Sequence, residues 1–138
     1  MKTADFEATW RTSVLGAVAC AQAVLPGMVQ CGRGALIFSG ATASIRGAAR
    51  FAAFAVAKFA LRGLAQSLAR EYHAQGVHVT HVVLDGLLRG SKSVARFGGR
   101  DKAAIDPTEV AKTYRWLAEQ EQSAWTHELD LRPASEKF

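Results

Sequence analysis

Few side chains in this chain are spaced for chemistry, and the best candidate lies in the run Phe54-Ala55-Val56-Ala57-Lys58. Residues four apart share one face of a helix, so Lys58 stands one turn from Phe54. An amine there can hold an oxygen or bias a neighbouring hydroxyl, but Phe54 has no proton to give and cannot act as a general acid. Hydroxyls precede it at Ser39, Thr42 and Ser44, residue types that also serve as turn formers. His78 and His81 fall three residues apart on an expected strand, so they point to opposite faces and do not share a metal. Glu128 and Asp130 share a strand face, but nothing else suggests the cleft that a carboxylate pair would need. His73 and His127 have no evident partners. The strained Ser turn of the hydrolases, G-x-S-x-G, does not occur.

The elements that must position these residues alternate. Phe6, Trp10, Val14, Ala17, Val18, Ala21 and Val24 recur at helical spacing, which predicts a helix over 5–25 that ends at Pro26-Gly27. Residues 35–39 read as a short apolar strand and 40–47 as a loop. A long helix is expected over 49–73, rich in Ala and Leu, with Gly76 beyond its end. Val77 to Leu84 reads as a β-branched strand, and Asp85-Gly86 opens a loop to about Ile105. Asp106-Pro107 suits a helix start, with the helix running to about Gln120. A last strand is expected over 124–131. Strands alternating with helices predict an α/β fold with a parallel sheet of about three strands flanked by helices, all in one domain over 1–138.

Composition bounds the rest. The 138 residues suffice for a real core, and 49% are apolar and 21% charged. Cys20 and Cys31 read as buried or incidental thiols of a reducing compartment. No apolar run approaches a bilayer span, and the N-terminus does not read as a leader, so a cytoplasmic protein with no membrane partner is expected. The net charge is +5, densest over 89–102, where Lys92, Arg96 and Arg100 lie. With a single aromatic residue, Phe97, among them and no nucleic-acid motif nearby, these charges read as a solvated loop, and no nucleic-acid partner is expected.

The strand 35–38, the helix with Phe54 and Lys58, and the strand and turn 76–86 together resemble the active-site half of the short-chain dehydrogenase/reductase family. Residues 10–16 resemble its fourth helix, 51–71 its fifth, and Trp125 to Asp130 its last strand. The resemblance implies the C-terminal half of a Rossmann-like doubly wound domain, truncated so that the glycine-rich phosphate turn is missing. Gly32-Arg33-Gly34 precedes a strand rather than a helix and cannot replace that turn.

The family's activity is hydride transfer with NAD or NADP. The resemblance implies that Lys58 keeps the lysine position, which holds the nicotinamide ribose. Phe54 occupies the tyrosine position. The serine position falls on Ala41, with Thr42 adjacent and able to supply the hydroxyl. Ser13 takes the asparagine place on the fourth helix. The turn after the sixth strand reads Asp85-Gly86, so Asp85, Gly86 and Leu87 are the implied cofactor contacts beside Lys58. No metal is implied, and the small-molecule substrate is open.

Small residues on the long helix, Ala53, Ala57, Ala60 and Gly63, offer a low surface that a partner helix can approach. A homo-oligomer through the surfaces of helices 49–73 and 5–25 is expected. Two readings remain: an oxidoreductase by lineage, or a non-catalytic dimeric module or fragment of a longer oxidoreductase.

Overall fold

The computed structural model describes residues 1–90, 92 and 104–135. Three parallel strands lie in the order β1 (Gly34–Ser39), β2 (Val77–Leu84), β3 (Glu128–Leu131). Gly34 stands opposite Val77, and His81 opposite Glu128. The α/β architecture with a three-stranded parallel sheet is the expected one.

One face of the sheet carries a helix that runs from Thr3 to Cys31 without a break in direction, in three parts: α1 (Thr3–Trp10), a π-helical turn (Arg11–Leu15) and α2 (Gly16–Cys31). Alongside it lies α3 (Ala52–Tyr72). Its alanines Ala65 and Ala69 let the helix sit close over Val77 and Val79, and Leu25, Leu61 and Phe38 fill the space between the helices and the sheet. The other face carries α4 (Pro107–Ala118), where the Asp106 side chain caps the Thr108 N–H and Pro107 occupies the first turn.

Several expected boundaries move. Pro26 does not stop the first helix; it lies inside α2. The stop is Gly32, at φ +62°, with Gly32 N–H bonded to Val29 O and Arg33 N–H to Met28 O. That pair of bonds satisfies the last carbonyls, and the left-handed residue favours glycine. Gly32 also packs on Gly76 (φ +83°), where a Cβ would lie 2.1 Å from Gly32 O.

The last strand is shorter than 124–131, because residues before Glu128 place their polar groups elsewhere. Thr126 N–H donates to Gln120 Oε1, and Trp125 Nε1–H to Gln120 O. The Val79 N–H that a longer β3 would have met donates to His73 Nε2 instead. The two histidines without evident partners, His73 and His127, thus meet His78 and Trp125 in one aromatic cluster. α4 ends at Ala118, near the expected Gln120.

Two further expectations are corrected. Cys20 and Cys31 are exposed, not buried. The helix Thr3–Cys31 is long and apolar enough, by length and composition, to cross a membrane, and only 17% of its most apolar window is buried within this chain. No charged residue interrupts 12–32, which is why the length appears. Of the basic segment, Arg96 and Arg100 lie outside the described residues, and Lys92 is exposed.

Candidate functional site

The C-terminal ends of β1 and β2 bring the chemistry-bearing residues together. Open α/β sheets bind ligands at this end of their strands. β1 leads through Gly40 into a 3-10 turn, Thr42–Ser44, that sets Thr42 above β2. Ser44 is buried, and its Oγ accepts the Ala41 N–H, so the hydroxyl fixes the turn rather than facing a ligand.

Thr42 Oγ1–H donates to Asp85 Oδ1 at 2.5 Å. Asp85 is 2% exposed at the end of β2. Its other oxygen lies 3.4 Å from Arg132 Nη1, and Arg46 Nη2 lies 3.9 Å from Oδ1. A buried carboxylate needs such partners to stay charged. Sequence reasoning placed Thr42 and Asp85 in separate roles, whereas the fold joins them directly.

Lys58 reaches the same end from α3, where its Nζ donates to Ser39 O at 2.9 Å. It also lies over the Phe54 ring, 5.6 Å from the centroid, a cation–π distance. Burial pushes its amine below the usual lysine range. Phe54 itself is 39% exposed, so the ring stands at the surface where the family has a phenol.

Ser13 lies within the π-helical turn, half-buried, and that turn packs against α3. Such single π turns occur often at functional sites. Gly86 and Leu87 follow Asp85 at the strand exit, and Ile105 N–H donates to Leu87 O. Lys58, Phe54, Thr42 and Asp85 thus share the C-terminal end of the sheet, while Ser13 approaches from the helix beside α3.

Four further residues belong here, of which sequence reasoning had weighed only His81, and that only as a metal ligand. Tyr114 on α4 shares a 2.8 Å hydrogen bond with Ser39 Oγ, and burial raises its phenol. Arg62 on α3 grips Glu128 with two 2.7 Å bonds, which hold the Glu128 carboxyl below its usual range. His81 lies fully buried under Gly40, with its Nδ1 3.3 Å from Glu128 Oε2 but poorly aligned, so both ring nitrogens lack a hydrogen bond. Its desolvation lowers its pKa more than Glu128 raises it. Arg46 is the fourth. None is marked by a local motif, because each matters through a partner distant in sequence.

Comparison with known proteins bears on the fold and the family. Residues 1–92 match the family model of short chain dehydrogenases. The 2-keto-3-deoxy-L-fuconate dehydrogenase of Xanthomonas campestris is 31% identical over 127 residues, 80% of this chain and 42% of that protein. A short-chain dehydrogenase from Rhodopseudomonas palustris superposes with a TM-score of 0.80 at 35% identity, covering 96% of this chain and 53% of that one. The closed form of a serine dehydrogenase complexed with NADP+ superposes at 0.86 with 26% identity, over 100% of this chain and 59% of its own. The chain spans about half the length of the relatives it matches.

Proposed function

The chain belongs to the short-chain dehydrogenase family, and we propose that it forms the catalytic-side half of an NAD- or NADP-dependent oxidoreductase acting on a small carbonyl or alcohol substrate. The observation that carries this reading is the placement of the Lys58 amine and the Thr42–Asp85 pair at the same end of the sheet. Relatives named for 2-keto-3-deoxy-L-fuconate and for serine support a small polar substrate.

The residues present fit one end of a dinucleotide. Lys58 offers an ammonium for the ribose hydroxyls, and the turn Asp85-Gly86-Leu87 borders the nicotinamide end. A glycine-rich strand–turn–helix for the pyrophosphate does not occur within these 138 residues. The nucleotide supplies the hydride when bound.

The chain's own groups then have limited duties. Thr42 Oγ1–H orients a substrate oxygen by turning from Asp85, and Asp85 holds the hydroxyl in place until then. Phe54 contributes packing and excludes water beside Lys58, but gives no proton. Losing a general acid costs about 10²- to 10⁴-fold in rate, so slow turnover is expected.

We further propose self-association, with a second copy covering the exposed apolar residues of the two long helices. Leu15 and Val24 on the first, with Val56 and Phe59 on α3, are all at least two-fifths exposed. A helix 29 residues long with no charged residue from 12 to its end suits a helix–helix interface as well as a bilayer. A cytoplasmic location goes with that choice.

A second reading, a non-catalytic dimeric module, is favoured by Phe54 and by the missing glycine-rich turn. Titration with NADH and NADPH, followed by nucleotide fluorescence, separates the two. Binding in the micromolar range supports the oxidoreductase. No binding at millimolar nucleotide removes it for this chain and leaves the module.

A further inference from the structure

We propose that His81 is a proton-operated latch beneath the site, coupling the Arg62–Glu128 clamp on one side of its ring to the Thr42 turn on the other. The latch lies under residues of the oxidoreductase reading but does not rest on that reading.

Polar side chains inside proteins almost always find a hydrogen-bond partner. His81 is 0% exposed, and neither Nδ1 nor Nε2 makes a hydrogen bond. A neutral imidazole leaves a donor and an acceptor unserved there, a cost that an apolar side chain of similar size avoids. What an apolar side chain lacks is a second charge state near neutral pH. A neutral ring donates to one side at a time, whereas the imidazolium donates to both sides at once.

Each side offers an acceptor. Nδ1 lies 3.3 Å from Glu128 Oε2, the oxygen that also accepts from Arg62 Nε at 2.7 Å. Glu128 stands opposite His81 in the ladder and is 30% exposed, so its carboxylate has room to realign. A protonated Nδ1 therefore competes with Arg62 for that oxygen. Nε2 faces Gly40, where a Cβ would lie 2.3 Å from Nε2 and 2.8 Å from Ser44 Oγ. The ring and the buried Ser44 hydroxyl thus flank one spot, from the strand and from the turn. Ser44 Oγ accepts the Ala41 N–H and keeps a second lone pair. A protonated Nε2 draws that oxygen towards β2. Thr42 begins the same 3-10 turn and moves with it, together with its bond to Asp85. One proton on His81 then loosens the grip of α3 on β3 and tightens the turn onto β2.

The charges facing the ring set the switch point. Burial lowers the His81 pKa from 6.5, Glu128 on β3 opposes that, and Arg62 and Lys58 on α3 add to it. Gly40 and Ser44, from the turn, bring no charge. The ring is therefore neutral at neutral pH and takes its proton below 6.5.

Nuclear magnetic resonance of the whole chain from pH 7.5 to 4 tests the latch. The readouts are the His81 ring and the amides of Gly40, Ala41, Thr42 and Ser44. Ring and amides should titrate together, with one midpoint below 6.5. Glu128→Gln should lower that midpoint and Arg62→Gln should raise it, each by about one unit. His81→Gln and His81→Leu should both leave the amides unmoved, and His78→Gln should leave the titration as it was. A ring that titrates without the amides overturns the coupling, as does an amide titration that survives both His81 variants. A midpoint that Glu128→Gln and Arg62→Gln leave in place contradicts the clamp. A ring still neutral at pH 4, or a chain that unfolds before the ring titrates, sinks the latch altogether. None of these measurements involves a nucleotide, so the NADPH titration succeeds or fails separately.

Discussion

Gly40 sits against the imidazole of His81, so closely that a Cβ on residue 40 would lie 2.3 Å from His81 Nε2. The imidazole is fully buried and cannot swing away. Gly40 also donates its N–H to Val82 O at 2.7 Å, which ties the exit of β1 to β2. The position of the Thr42 turn therefore depends on a side chain missing from one strand and a large one present on the next.

Gly40→Ala is expected to destabilise the fold by about 1–3 kcal/mol through overpacking. His81→Ala in the same chain should recover much of that loss, because the two sites share one space. Urea denaturation of the two single variants and the double variant measures the coupling. Additive losses would show that the clash is relieved elsewhere.

Thr42→Val leaves the buried Asp85 carboxylate with one donor fewer. A cost of about 1–3 kcal/mol is expected for an acceptor left short inside the protein. Asp85→Asn on the same background should lower the penalty, since a neutral amide needs fewer donors. Thermal unfolding of the three proteins checks the order, and a Thr42→Val protein as stable as the original contradicts it.

Phe54→Tyr puts a phenol beside the Lys58 ammonium. An adjacent cation favours the phenolate, so this phenol should titrate below the ordinary value of about 10. Ultraviolet difference titration reads it directly, with the unaltered chain as the blank. Lys58→Met on that background should return the phenol towards its ordinary value. A phenol that titrates the same with and without Lys58 would show that the amine points elsewhere.

Acid should weaken the fold in two windows. Burial lowers the pKa of His78 and of His81 from the ordinary 6.5. The unfolded chain therefore binds more protons than the folded one from about pH 6.5 down to the lowered values, and stability falls as pH drops through that range. Glu128 is held below its ordinary 4.5, first by its hydrogen bonds from Arg62. Its contribution is present above 4.5 and is lost as pH falls further, through the folded value. Urea midpoints from pH 8 to 4 should decline, and His78→Gln should flatten the slope between 6.5 and 5. A slope unchanged by that substitution would remove His78 from the account.

Val56→Glu with Phe59→Glu should release self-association, because charge is expensive in an apolar interface. Sedimentation of the altered chain against the original reads the mass. Equal masses would move the interface away from α3.

Much of the fold was legible from periodicity, and less of the site. Among the described residues, apolar repeats at helical spacing and β-branched runs predicted the strands and long helices, because those patterns reflect one-sided burial. The strand β2 fell on its expected residues, 77–84. Boundaries moved where a backbone group found a side-chain partner, as Thr126 did in Gln120. Pro26 misled because a helix can carry a proline whose missing bond lies on its open side, whereas Gly32 in the left-handed region ends it.

The sequence by itself determined the order of the elements, the parallel sheet, Lys58 on the site helix and the absence of a proton at Phe54. These follow from residue type and from local spacing. Only the tertiary structure decided that Thr42 bonds Asp85, that Arg46 and Arg132 converge on that carboxylate, that Tyr114 meets Ser39, and that His81 lies under Gly40. Each of those pairs is joined across more than thirty residues of chain, so no local pattern encodes it. They exist because the sheet brings the ends of β1 and β2 side by side, and because a buried charge or ring must find its partner among whatever the fold places there.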